Sequence, residues 1–500
     1  MTDATTFATP NLEEKTSRHD LAIIYTMLIA TFVVILNETI MNVAIPKLMN
    51  EFSVNASTAQ WLATAFMLVM AILIPTTGFL MQRFSTRTLF LAAMGTFSLG
   101  TLIAGIAPIF ALLLAGRVLQ ASGTAIMLPL LTTTILTLIP AHRRGEMMGT
   151  VSIVISVAPA IGPTISGLIV ESLSWRFMFF FVLPIALGVL AYAARNLKSV
   201  GETHHASLDI LSVVVSALGF GGLLYGFSSA GEAGGGWTST QVLVPLIVGT
   251  LSLLVFVWRQ LTLKTPLLDL RVFRYPMFTL SVLLTMAMMM ALFSAAILLP
   301  LYLQNVRQFT PLQTGLILLP GGVLMGIASP MIGRIFDRYG PRLLVLPGTL
   351  MMAVIIWQFT TLTSETSIVQ ILTLHIIFSA SLAMLFTPIF ATGLNQLPRN
   401  LHSHGSAIVS TLQQVAGAVG TALLVTIMAT SSAAYLQSVT TGITPDVERD
   451  ALTVGLHTSF MVATGISLIS FFLSLFIRRS SPPEEGKEET RGGVGVGALE

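Results

Sequence analysis

Two ionisable side chains stand inside long apolar runs in the first half of the chain, Glu38 and Arg117. A charge at mid-bilayer costs roughly 2.5–3.5 kcal/mol on insertion scales, so each needs a partner, water or a task. Glu38 lies seven residues before the end of its run, and Arg117 seven residues after the start of its own. At about 1.5 Å per residue, both sit about 10 Å below the same face. A carboxylate and a guanidinium at one depth suit reversible proton binding, with Glu38 taking up and releasing H⁺ and Arg117 tuning its affinity. The alternative is a structural ion pair that orders two helices, or a Glu38 held permanently neutral; the two roles can coexist. His375, early in a later run and toward the same face, titrates near neutral pH and is a candidate for the same proton path or a plain packing residue.

Around Glu38 lie Asn37, Thr39 and Asn42. Neighbours on a helix are about 100° apart, so Glu38 and Asn42 can share a face that Asn37 cannot. These residues, with Trp61 and Gln120, are candidates for the wall of a polar substrate cavity; the other reading is interhelical hydrogen bonding. Trp61 and Trp175 also read as interface anchors.

The elements that must position these groups are membrane spans. Hydrophobic residues make up 54% of the 500 and charged residues only 9%, too few charges to clothe a water-soluble surface. A span needs about 20 mostly apolar residues. Fourteen such runs are present, roughly 21–45, 60–81, 88–108, 110–139, 147–171, 176–195, 208–230, 241–262, 278–303, 312–334, 342–361, 367–394, 404–430 and 455–477. The first is too long for a signal peptide and has no small-residue cleavage site, so it reads as an uncleaved span. The longest outer loop falls near 431–454, with Asp446, Glu448 and Asp450.

With the N-terminus placed in the cytoplasm, inner segments hold 20 of the 25 Lys and Arg and outer segments four, Lys47, Arg176, Arg307 and Arg449. That bias is the positive-inside pattern, and it favours an even span count across the cytoplasmic membrane with both termini on its cytoplasmic side. The basic residues are spread over short loops, which argues against nucleic-acid binding. Without cysteine there are no disulfides, thiolate metal sites or cysteine nucleophiles. No phosphate-binding GxxxxGK[ST] loop occurs, so any pumping must draw on an ion gradient, and no nucleophile and base pair marks an enzyme. Neither a metal nor an organic cofactor is expected.

One loop is written twice. Gly78-Phe-Leu-Met-Gln-Arg-Phe-Ser-Thr-Arg87 returns 255 residues later as Gly333-Arg-Ile-Phe-Asp-Arg-Tyr-Gly-Pro-Arg342, and Pro46 and Pro300 are 254 apart. A membrane half repeated in the same order is a common transporter plan. It divides the chain into a cytoplasmic N-terminal segment (1–20), a first six-helix half (21–200), two inserted spans with their loops (201–270), a second six-helix half (271–479) and a disordered tail (480–500). In span 5, Ala158-Pro-Ala-Ile-Gly-Pro-Thr-Ile-Ser-Gly167 combines Pro159 and Pro163, which bend a helix, with Gly162, Ser166 and Gly167, which let a neighbouring backbone approach. A kinked, close-packed helix suits a gate that must seal against protons; plain helix packing is the alternative.

Together these features resemble the major facilitator superfamily, specifically its fourteen-span drug:proton antiporters of the EmrB/QacA type, and among them the lincomycin-resistance (LmrB-like) branch. Leu36-Asn-Glu-Thr-Ile-Met-Asn-Val-Ala-Ile-Pro46 is similar to the family's span-1 pattern Leu-Asp-x-Thr-x-x-Asn-x-Ala-x-Pro, with the acid moved one place, from position 37 to Glu38. The repeated loop is similar to Gly-x-Leu-Ala-Asp-Arg-x-Gly-Arg-Lys. Its second copy keeps Gly333, Asp337, Arg338, Gly340 and Arg342, whereas the first keeps Gly78, Arg83 and Arg87 but carries Gln82 and Ser85. The resemblance implies that these loops form a cytoplasmic latch, without its acid in the first half. Arg117-Val-Leu-Gln-Ala-Ser-Gly123 resembles the span-4 Arg-x-x-Gln-Gly-x-Gly motif, whose Arg is tied to proton transfer, and the span-5 segment resembles the antiporter signature.

The expected protein is an all-α membrane antiporter with two six-helix halves plus two inserted transmembrane helices. Protons moving inward would drive an amphipathic, drug-like small molecule outward by alternating access. Its expected partners are that substrate, protons and membrane lipid, and it is expected to be a monomer. Export of an endogenous metabolite, lipid or envelope precursor is one alternative, and a membrane sensor without flux is another.

Overall fold

A computed structural model of the chain describes residues 17–54, 56–200, 209–232, 236–263, 265–439 and 444–479. The expectations for 1–16 and for the tail 480–500 lie outside the described residues. Fourteen helices follow one another: α1 Arg18–Phe52, α2 Ala56–Arg83, α3 Thr86–Ile106, α4 Phe110–Leu138, α5 Arg144–Ser172, α6 Arg176–Asn196, α7 Ile210–Glu232, α8 Thr240–Thr262, α9 Pro276–Leu301, α10 Pro311–Tyr339, α11 Arg342–Phe359, α12 Ile368–Asn395, α13 His402–Ser438 and α14 Pro445–Ser474. All fourteen are long and apolar enough to cross a membrane, and no strand occurs among the described residues. That is the all-helical architecture expected where no water can satisfy an open backbone.

Local chemistry sets the helix ends. Ser17 and Asp20 close a capping box at the start of α1, and Thr310 and Gln313 do so for α10. Residues 431–454, expected as the longest loop, are mostly helix, because α13 continues to Ser438 and α14 starts at Pro445. Thr444 accepts from Val447 N at 3.3 Å, Pro445 is pre-set for the first turn, and Asp446 and Glu448 complement the positive helix end. Charge marks a helix start here, where the sequence reading took it for a loop.

The packing repeats as the sequence does. In the first half α1 lies against α4, α5 and α6, α2 against α4, and α3 against α6. In the second, α9 lies against α12, α13 and α14, α10 against α12, and α11 against α14. The halves meet along two equivalent seams, α5 with α10 and α13 with α2. The hairpin of α7 and α8 stands outside this plan, with α7 laid over both α2 and α13. Its base is tied by Arg259, which donates to both Asp209 oxygens at 2.8 and 3.0 Å, and by Gln260, which donates to Ser212 Oγ at 2.8 Å. The hydrogen bonds from Arg259 hold the Asp209 carboxyl down at about 2.

Candidate functional site

Arg117 on α4 is 1% exposed, a charge enclosed by the first half. Its Nη1 donates to Gln120 Oε1 at 3.0 Å and its Nε to the Leu62 carbonyl at 3.4 Å, while its Cζ sits 4.2 Å from the centre of the Phe66 ring. Gln120, one turn on, passes the chain outward: Nε2 donates to Thr101 Oγ1 at 2.9 Å and to Asn37 Oδ1 at 3.4 Å. Arg117, Gln120, Thr101 and Asn37 thus link α4, α3 and α1 through fully buried polar groups. Networks of this kind are favourable only when their members are satisfied; among the described residues Asn37 Nδ2 is left without a partner.

Glu38 is held differently. It is half-buried, and among the described residues no ion pair or hydrogen bond ties its carboxylate to Arg117 or to any other group. The two charges act on each other through space. Thr39 and Ile40 next to it carry the contact with α5: Ser166 Oγ donates to the Ile40 carbonyl at 2.7 Å, and a methyl group added at Gly162 would lie 2.2 Å from Thr39 Oγ1. Only glycine admits α1 this closely. Gly167, expected to share that approach, has nothing within 4 Å of an added methyl group. One residue on from Ser166, it is turned about 100° away from α1. α5 runs unbroken through Pro159 and position 163; the side chains of Pro163 and Asn42 lie outside the described ones.

Trp61 is 40% exposed and stacks on Tyr225 of α7, ring centres 5.9 Å apart, so it marks the seam between α2 and the inserted hairpin. Trp175, read as an interface anchor, is instead fully buried. Its Nε1 donates to Glu51 at 2.6 Å, with Arg176 on the other carboxylate oxygen at 2.5 Å. Burial opposes the effect, yet these two donors hold the Glu51 carboxyl below its ordinary range. His375 stands apart on α12, where its Nε2 pairs with the Leu318 carbonyl of α10 at 3.1 Å.

The two copies of the repeated loop sit at the ends of the two seams. In the second copy both Asp337 oxygens accept backbone N–H groups of the first turn of α5, from Gly145 at 2.8 Å and Glu146 at 2.9 Å. A carboxylate on a helix N-terminus is a favourable pairing. Arg334 donates to Glu146 at 2.8 Å, and Arg479 to the Asp337 carbonyl at 3.0 Å. A methyl group at Gly333 would lie 2.1 Å from the Gly145 carbonyl oxygen, so the backbones touch. Gly340 ends α10 at φ +82°, a conformation that favours glycine. Arg338 lies over the Tyr339 ring and Arg342 is exposed.

In the first copy Gln82 Nε2 meets His404 Nε2 of α13 at 2.7 Å, and Arg87 donates to the Ala194 carbonyl near the end of α6 at 2.6 Å. Arg83 is exposed at the end of α2. Arg144, missed by sequence reasoning, ties α5 to α12 by donating to Asn395 Oδ1 at 3.0 Å. Both seams are therefore shut at the end that carries the repeated loops. Farther along α5 the seam loosens: at Gly315 an added methyl group would meet, among the described residues, only Thr164 Oγ1, at 3.7 Å. Glu38, level with Gly162, lies toward that looser part.

Residues 27–421 match the model of the Major Facilitator Superfamily. The chain is 44% identical to the lincomycin resistance protein LmrB of Bacillus subtilis over 91% of its length and 95% of that protein. It is 45% identical to LmrB of Listeria monocytogenes over 92% and 97%. The multidrug export protein EmrB of Haemophilus influenzae is 29% identical over 79% of this chain and 78% of its own. Among solved structures, the human organic anion transporter MFSD10 (TETRAN) superposes with a TM-score of 0.63 at 14% identity, covering 91% of this chain and 99% of that one.

Proposed function

The chain belongs to the major facilitator superfamily, a family of membrane transporters and not of enzymes, and we propose that it is a proton-coupled antiporter exporting amphipathic, drug-like compounds. The relatives named for lincomycin resistance and multidrug export support the substrate class. Lincosamides are the first compounds to try. The end carrying the repeated loops is assigned to the cytoplasm on the distribution of basic residues. The shut seams then correspond to the outward-facing half of an alternating-access cycle.

The observation that carries the coupling is Glu38 itself. A carboxylate inside a bundle normally finds a donor, and this one keeps partial access and, among the described residues, no hydrogen-bonding partner, beside a buried guanidinium engaged elsewhere. Such a group is free to exchange a proton as access alternates. Arg117, held by Gln120, the Leu62 carbonyl and the Phe66 ring, serves as a fixed positive charge. When the bundle opens to the cytoplasm, substrate and the proton on Glu38 exclude one another, so substrate arrival there drives proton release.

The test is efflux in cells of a drug-sensitive bacterial host. Cells with the wild-type protein should hold less lincosamide than cells without it, and an uncoupler should abolish the difference. Glu38→Gln at equal membrane abundance should behave like the empty host. Equal resistance of that variant and wild type would remove Glu38 from the mechanism.

A further inference from the structure

The two seams are equivalent in packing but not in chemistry, and the difference centres on His404. Asp337 closes the α5/α10 seam by accepting two backbone N–H groups. At the corresponding place on the α2/α13 seam stands Gln82, bonded to an imidazole. His404 is 4% exposed. With Gln82 Nε2 donating to its Nε2, the ring proton belongs on Nδ1, and among the described residues Nδ1 is buried without a hydrogen-bond partner. It faces the backbone of α2, where a methyl group at Gly78 would come within 3.1 Å of it.

The segment that follows the inserted hairpin reaches the same point of α2. Leu268, just beyond α8, would lie 3.5 Å from the same methyl group at Gly78, and its own N–H donates to Gln260 Oε1 at 3.1 Å. Asp269 follows, capping the short helical turn at 270–274, and its charge acts on the imidazole. Among the described residues, the other charged or titratable groups in the neighbourhood are Arg83 beside Gln82 on α2, His402 and Arg399 at the start of α13, Arg144 of α5, which faces His402, and Arg271, which pairs with Asp269.

We propose that Gln82, His404 and Asp269 form a proton-sensitive latch on the α2/α13 seam, for which the segment following the inserted helices supplies the acidic member. In the shut seam a second proton on His404 forces Gln82 to turn its carbonyl toward the ring. It also leaves a charged imidazole with one N–H against backbone carbon. In the parted seam both N–H groups reach water. The open state therefore binds the proton more tightly, and acid on the terminus side shifts the seam toward opening, by up to about tenfold per pH unit for one linked proton. Asp269 sets the pH at which this occurs, since a nearby carboxylate favours the charged ring. The latch rests on alternating access of the halves and is independent of Glu38.

The chain has no cysteine, so spin labels can be placed on Phe84→Cys and Asn400→Cys, at exposed positions flanking the seam, without removing native thiols. The measurement is the label-to-label distance distribution by double electron–electron resonance, on full-length protein in nanodiscs, between pH 8 and pH 5.5. It is made in a Glu38→Gln background, so that failure of the coupling reading and failure of this one stay separate. The expected result is growth of a longer-distance population on acidification, its absence when His404→Gln is added, and a lowered midpoint in Asp269→Asn. Asp269→Asn leaves the Gln82 to His404 bond intact and provides a second reading should His404→Gln fold poorly. A pH-independent distribution in the background protein, or an undiminished response in His404→Gln, overturns the proposal.

Discussion

Replacing Asp337 by Asn should unlatch the α5/α10 seam. Its carboxylate accepts N–H groups from Gly145 and Glu146 at 2.8 and 2.9 Å, at the positive end of α5. Asparagine keeps one acceptor and turns an NH₂ group toward the other donor. The loss is then one charge-assisted hydrogen bond, about 1.5–3 kcal/mol, together with the helix-end attraction, about 0.3–1 kcal/mol. Half-burial of Asp337 favours the lower part of that range, about 2 kcal/mol in total. On an equilibrium between shut and parted seams that is a factor of about 30. Labels at His142→Cys and Tyr339→Cys, flanking the seam on its exposed side, report the change by the same distance measurement at pH 7.5. A parted fraction of 1% in the parent should rise to roughly a quarter. An unchanged distribution in Asp337→Asn would refute the reasoning that this carboxylate holds the seam.

Gly333→Ala places a methyl group 2.1 Å from the Gly145 carbonyl oxygen. The shut state should lose about 1–3 kcal/mol, seen as lower thermal stability and slower export with normal membrane abundance. Arg117→Lys keeps the charge but cannot reproduce the fork to Gln120 and the Leu62 carbonyl or the stacking on Phe66; export should fall at least about tenfold, with detergent-solubilised melting temperature reduced. Asp209, held at about 2 by the Arg259 hydrogen bonds, stabilises the hairpin wherever pH exceeds the unfolded carboxylate value of about 3.9. That contribution disappears as pH falls through 2. The melting-temperature gap between wild type and Asp209→Asn should therefore be constant from pH 8 to pH 5 and narrow only in strong acid.

The architecture was legible because it is written in composition and repetition. Few charges force a membrane fold, and the doubled loop sets which helices correspond. The neighbourhood of Glu38 and Arg117 was also legible, because matched depth in two spans limits where charges can meet. The partners of Arg117 were not. Nothing in the spacing says that its guanidinium turns to Gln120 and the Leu62 carbonyl and leaves Glu38 without a direct bond. Pairings across the seams were hidden for a different reason. Gln82 and His404 are 322 positions apart, and Arg144 and Asn395 251; only the docking of the two halves brings them together. Trp175 shows the same limit: a tryptophan at the end of a span is read as facing lipid headgroups until the Glu51 carboxylate beneath it is seen.

The most direct test of the coupling claim is proton movement in liposomes carrying the purified protein and an entrapped pH-sensitive dye. With a lincosamide gradient as the only driving force, the wild-type protein should move protons against the drug flow, and Glu38→Gln should move none while still binding the drug. Substrate-driven proton flux of wild-type size in Glu38→Gln would contradict the account.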